Sequence, residues 1–166
     1  MEIEVKIRAL MMDPNTGTPI IILKDINSDT MLPIWVRAYE ANAIAEAIEK
    51  TSPPRPMTHD LLRNLIIQVG ARVDRVVVTE LRDSTYYASI ELRTDEGEAV
   101  VLDARPSDAI ALALRSDCPI FVEQEVLQTS SRNYSTGDDP SGEEAESSAE
   151  DEEWPDVIGD AGDLPM

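Results

Sequence analysis

Polar and apolar side chains alternate from the first residues of the chain. Ile3, Val5, Ile7 and Ala9 fall on one face of an extended segment, and Glu2, Glu4, Lys6 and Arg8 on the other. That period of two marks a half-buried strand. After the turn cluster Asp13-Pro14-Asn15-Thr16-Gly17, the apolar run Pro19 to Leu23 predicts a second strand. Asn27-Ser28-Asp29 turns the chain into a third, over 30–36, where Pro33 argues for an edge or a bulge. The period then changes. Ala41, Ile44, Ala45 and Ile48 sit at helical spacing between Tyr39 and Lys50, and Ser52-Pro53-Pro54-Arg55-Pro56 stops that helix. A second helix is predicted with Thr58 as N-cap, Leu61, Leu62, Leu65, Ile66 and Val69 as its apolar stripe, and Gly70 at its end. Strands resume over 73–81, 86–92 and 99–104, separated by Arg82-Asp83-Ser84 and Asp95-Glu96-Gly97. Pro106 opens a third helix running to about Arg115, and 120–122 is a last short strand.

This order suggests a duplication. A shift of 68 residues places Leu32, Ile34 and Val36 on Val100, Leu102 and Ala104, Arg37 on Arg105, and Glu40 on Asp108. Each half reads as three strands and a helix, with an arginine at the junction and an acid three residues later. One such half is too small to stand alone, so the two are expected to share a core. The expected fold is α+β: a mostly antiparallel sheet with packed helices, built from two pseudo-repeated halves.

Charge divides the chain. Of its 166 residues, 1–128 hold 13 basic and 21 acidic side chains, a net −8; 129–166 hold one and 12, a net −11. We therefore read 1–128 as one domain and 129–166 as an acidic tail, without order over 129–152 because it has almost no large apolar side chains to offset ordering entropy. Trp154, Val157, Ile158, Leu164 and Met166 return at the end, which marks 153–166 either as a short motif for a protein partner or as a loose end. A net charge of −19 excludes the basic profile of a tight, sequence-independent nucleic-acid binder. No apolar run reaches the roughly 18 residues needed to cross a membrane, and none of signal-peptide type follows the first residue. One cysteine, Cys118, permits no intrachain disulfide and is read as an inert buried thiol; the expected compartment is the cytoplasm.

Two clusters hold the candidate chemistry. In Arg55-Pro56-Met57-Thr58-His59-Asp60, prolines stiffen the approach to a helix and His59 and Asp60 occupy its first turn. His59 is the only histidine, the side-chain type suited to take a proton from water or a ribose hydroxyl near neutral pH. The plainer account is that Asp60 complements the helix dipole and His59 bonds a loop. In Asp103-Ala104-Arg105-Pro106-Ser107-Asp108, Asp103 closes a strand and Asp108 is the third residue of a helix. Two carboxylates there could share a hard cation such as Mg²⁺, and Arg105 could hold a phosphate beside a helix N-terminus. The plainer account is again structural: Asp108 caps its helix and Arg105 pairs with Asp103 or Asp108. Arg37, at the equivalent junction, allows a pseudo-symmetric site of paired arginines and acids. No glycine-rich phosphate loop, nucleophile elbow or zinc spacing is present.

Both clusters, extended through Leu61-Leu62 and through Ala109-Ile110-Ala111-Leu112-Ala113, resemble the signatures of the bifunctional nuclease family. Pro33-Ile34-Trp35-Val36 with Glu40-Ala41, and the turn Leu81-Arg82-Asp83, resemble further parts of it, so the likeness spans about residues 1–127. It implies a compact α+β domain that self-associates, most simply as a dimer, and nuclease activity on DNA and RNA in some members. On that basis the expected function is a low-specificity nuclease. His59, Asp60 and Asp108 would be catalytic, and Arg55, Arg105 and Arg37 would contact substrate. Asp103 and Asp108 would be the metal ligands if Mg²⁺ takes part. Substrate binding should be weak and salt-sensitive, since Arg55 to Arg93 holds six arginines against five acids. The rival is a non-catalytic oligomeric interaction or regulatory module. The discriminator is whether the two clusters meet.

Overall fold

A computed structural model describes residues 1–135. The acidic segment beyond Ser135, including 153–166, lies outside the described residues. Seven strands form one sheet: β1 (Glu2–Met12), β2 (Pro19–Asp25), β3 (Met31–Trp35), β4 (Ala71–Arg82), β5 (Thr85–Thr94), β6 (Ala99–Ala104) and β7 (Ile120–Glu123). The helices are α1 (Ala38–Ile48), α2 (Thr58–Gln68), α3 (Pro106–Ser116) and α4 (Gln124–Ser135). None of them is long and apolar enough to cross a membrane.

The strand order is β3-β2-β1-β7-β4-β5-β6. All pairings are antiparallel except β4 with β7. The architecture is therefore α+β with a mostly antiparallel sheet. Local chemistry explains its turns. β4 and β5 are joined by Asp83 and Ser84, both left-handed (φ 51° and 59°), the two-residue connection whose twist matches that of its strands. Pro33 sits in β3, an edge strand, where its missing N–H leaves no gap in the ladder. Each three-strand meander leads into a helix, α1 or α3, and the order is palindromic about β7. Strand order alone does not establish duplication; superposing 30–46 on 98–114 is the test of that expectation.

α3 is the centre of the helix layer. It touches α1, α2, β4 and β5, and Ala109, Ile110, Ala111, Leu112 and Ala113 are all buried. A helix apolar on all sides belongs inside, and three alanines let its neighbours approach closely. Beneath it lie Val76, Val78, Ala88 and Ile90 of β4 and β5. Cys118, at the end of α3, is half-buried and its thiol is pushed up to about 11 by burial, which leaves it unreactive.

Three expectations are corrected. Thr58 is the first helical residue rather than the cap; Met57 is the cap. The apolar stripe of α2 is mostly uncovered: Ile66 is buried, but Leu61, Leu65 and Val69 are exposed. Residues 129–135 are helical, not part of an unstructured tail, because α4 seats Val126, Leu127 and Ser130 and Ser130 bonds the Tyr86 hydroxyl at 3.0 Å. Shortening the chain to end at Gln128 instead of Ser135 is accordingly expected to lower the melting temperature, by losing that bond and fraying α4. Thermal unfolding of the two truncations, side by side, checks this.

Candidate active site

The two sequence clusters meet. α2 lays its first turn across α3, and His59 Nε2 lies 2.9 Å from Asp108 Oδ1. Asp108 Oδ2 accepts from Arg105 Nε at 2.9 Å and pairs with Arg105 Nη2 at 2.8 Å. Arg105 Nη1 donates to Glu40 Oε1 at 2.7 Å. One polar chain, Glu40–Arg105–Asp108–His59, thus links the first turns of α1, α3 and α2. Local rules put the groups there. Glu40, Asp60 and Asp108 are each the third residue of their helix, where an acid complements the dipole. Arg105 precedes Pro106 in an extended conformation (φ −74°, ψ 146°), as a residue before proline must.

A second knot lies alongside. Asp60 Oδ2 accepts the Met57 backbone N–H at 2.9 Å, holding the first turn of α2. Its Oδ1 accepts from Arg115 Nε at 2.8 Å, and Arg115 also donates to the carbonyls of Ala111 and Ala43, each at 3.0 Å. The Arg115 side chain is only 8% exposed.

Burial pushes both the Asp60 and Asp108 carboxyls up, but their hydrogen bonds outweigh it and hold each below the ordinary 3.8. For Asp108 the lowering groups are His59 and Arg105; for Asp60 they are the Met57 amide and Arg115, with a smaller contribution from His59. An ionised Asp108 can only accept, so Nε2 of His59 carries the proton of that bond. In the neutral ring the lone pair then sits on Nδ1. The low carboxyl values also set an acid dependence. A carboxyl lowered on folding contributes fully above its unfolded value and loses that contribution as pH falls through its folded value. Stability should therefore drop below about pH 4, and Asp60→Asn with Asp108→Asn should flatten that drop. Urea midpoints at acid and neutral pH measure it.

The other candidates stand apart. Arg37 caps α1 and Arg55 lies in the connector before α2; both are exposed, with no side-chain partner among the described residues. Asp103 is exposed on β6 and pairs with Ser89. Side chains alternate across a strand, which puts Asp103 on the face opposite buried Ala88 and Ile90, away from α3 and Asp108. Both Asp108 oxygens are engaged, and no group of three His, Cys, Asp or Glu donors gathers among the described residues. These residues do not fit a Mg²⁺ site. Arg115 was not singled out in the sequence. Its signal was there: seven residues after Asp108 it lies on the same face of α3, a cation in an otherwise apolar helix. A shallow polar recess of about 270 Å³ borders Asp60 and Arg115, whereas a larger apolar groove of about 1110 Å³ lies between β1 and α1, away from His59 and Asp108.

The model of the bifunctional nuclease domain matches residues 21–135, most of the chain and all of this cluster. The chain belongs to the bifunctional nuclease domain family. It is 38% identical over 124 residues to an uncharacterized protein of Mycobacterium tuberculosis, covering 75% of this chain and 73% of that one. It is 30% identical over 122 residues to bifunctional nuclease 1 of Oryza sativa subsp. japonica, and 30% identical over 109 residues to bifunctional nuclease 1 of Arabidopsis thaliana. These matches cover 72% and 64% of this chain but 37% and 34% of the plant proteins. The chain thus spans about a third of the plant family members, which carry much sequence outside the shared domain.

Proposed function

We propose that the protein is a nuclease of low specificity that hydrolyses phosphodiester bonds in DNA and RNA, with His59 Nδ1 as general base. The observation that carries this is the 2.9 Å contact between His59 and Asp108, residues 49 apart in sequence. It supplies a base held by a carboxylate, the arrangement that fixes a tautomer and stabilises the imidazolium formed in turnover. Nδ1 takes a proton from the attacking water as its oxygen bonds phosphorus. The phosphorus–oxygen bond opposite breaks, the departing oxygen takes a proton from solvent water, and Nδ1 returns its own to solvent. Arg105, 60% exposed, offers its outer edge to the phosphate beside the amides of the first turn of α3. The exposed Arg37 and Arg55 add positive charge for the neighbouring phosphates. Asp60 acts at one remove, by fixing the turn that carries His59. The family and the names of its plant members support this reading. Against a domain of net −8, binding is weak and salt-sensitive. The protein acts in the cytoplasm, where a lone thiol stays reduced.

A second reading has its own observation. Glu40, Arg105, Asp108, His59, Asp60 and Arg115 all bond one another or the backbone, as a clamp joining three helices would. Under it the domain is a non-catalytic interaction module. Cleavage of single-stranded DNA and RNA by purified protein, with and without EDTA, beside His59→Gln, separates the two. Wild-type cleavage that is lost in the variant supports the nuclease. Equal rates overturn it, because a contaminating enzyme would not respond to the substitution.

A further inference from the structure

Tyr39 has the most exposed large apolar side chain among the described residues, 86% open to solvent. It is the second residue of α1, and among the described residues no hydrogen bond or ring contact holds it. A ring on a helix can rest on the side chains three and four positions on. Here those are Asn42 and Ala43, too short to cover a phenol. Both faces of the ring are therefore free.

Its surroundings are those of the candidate site. Glu40 is the next residue, its Cα about 3.8 Å away, and Glu40 Oε1 accepts from Arg105 Nη1 at 2.7 Å. Side chains on a helix lean toward its N-terminus. Tyr39 and Glu40 thus both lean toward the end of α1 where the Arg105 guanidinium lies. Arg37, exposed and without a side-chain partner among the described residues, precedes Tyr39 by two positions. The acids at hand are engaged: Glu40 is 13% exposed and bonded to Arg105, and Asp108 is bonded to Arg105 and His59. A bare aromatic face accordingly stands beside two exposed guanidinium groups.

We propose that Tyr39 is a base-stacking subsite, which receives one unpaired base of a single-stranded nucleic acid whose adjoining phosphates lie on Arg37 and Arg105. A phosphate needs a cation and a base needs a flat face, and proteins that hold single strands supply the two together. In a duplex the bases are already stacked and turned inward, so the ring has nothing to take. Every base has a π face, so the subsite selects an unpaired strand and not a sequence. The inference rests on the nuclease reading for the class of ligand, and it adds that the base beside the phosphate on Arg105 must be unpaired.

Fluorescence anisotropy of a short labelled oligothymidylate, titrated with the full chain at low salt, tests it. Tyr39→Ala is expected to weaken binding by about 5- to 150-fold, the usual loss for one stacked base, with circular dichroism unchanged because the side chain is exposed. Tyr39→Phe, which keeps the ring and drops the hydroxyl, should bind as the wild type does. Binding of the same strand paired with oligoadenylate should not respond to Tyr39→Ala. Equal binding by wild type and Tyr39→Ala overturns the proposal. So does a wild type that binds no oligothymidylate, a phenylalanine variant as weak as the alanine one, or an equal loss on the duplex. The outcome is separable from that of the nuclease reading, because binding requires no cleavage. Tyr39→Ala that binds normally, beside His59→Gln that no longer cleaves, removes the stacking alone. A loss of binding in Tyr39→Ala, beside His59→Gln with an unchanged rate, removes the general base and keeps the subsite.

Discussion

Replacing His59 by glutamine is expected to lower the cleavage rate by roughly 10²–10⁴-fold, the usual contribution of a positioned general base, with the melting temperature close to that of the wild type. The glutamine amide can still donate to Asp108 Oδ1, where His59 Nε2 now stands at 2.9 Å. The link between α2 and α3 therefore survives, and only the proton acceptor is lost. His59→Ala removes both and should also destabilise, because the side chain is 13% exposed and leaves a partly covered carboxylate without that partner. If the cluster is only a clamp, alanine still costs stability, but glutamine changes nothing per folded molecule. Rate and melting temperature on the same two variants separate the accounts.

How much of this was legible in the sequence depends on which physical rule each element obeys. β1 was readable because Ile3, Val5 and Ile7 pack toward the core while Lys6 and Arg8 face water, so its side chains alternate. Pro33 pointed to an edge or a bulge because proline cannot donate to a ladder, and β3 is an edge strand. The stripe on α2 was read as core because periodicity shows which residues share a face, but not whether a neighbour covers it. Among the described residues nothing covers Leu61, Leu65 and Val69. α4 was missed because only Val126 and Leu127 interrupt a polar stretch, and the change of charge at 128 drew the eye to a boundary inside it. At the site, the residue types and their helix positions were visible, and so was a pairing of Arg105 with Asp103 or Asp108, of which the structure has Asp108. The contact of His59 with Asp108 was not, because it depends on how α2 crosses α3. Asp103 was a misleading neighbour: two residues from Arg105 in sequence, it points to the opposite face of the sheet because strands alternate.

Replacing Arg115 by alanine is expected to cost about 3 kcal/mol of stability, at the lower end of what breaking a buried ion pair costs. The guanidinium bonds three oxygens on three helices: Asp60 of α2, Ala43 of α1 and Ala111 of its own α3. The carbonyls belong to helices and keep their main-chain partners. Asp60 keeps the Met57 amide and is 29% exposed, so water can replace part of what it loses. The cost therefore falls short of that for a fully enclosed pair, yet the buried arginine stem leaves a void that adds to it. Asp60→Asn alone should cost less, about 1–2 kcal/mol, because its one amide oxygen can still accept from either Arg115 or Met57, while its NH2 turns toward the other donor. A double-mutant cycle in urea should give a coupling of at least about 1 kcal/mol between the two positions. Additive losses would mean that Arg115 stabilises the protein by packing and by its carbonyl contacts alone. In that case the turn carrying His59 is held by Met57 and Asp60, and the rate per folded molecule of Arg115→Ala should equal that of the wild type. A coupled pair predicts the opposite: loosening Arg115 releases Asp60, displaces His59 from Asp108, and lowers the rate along with the stability.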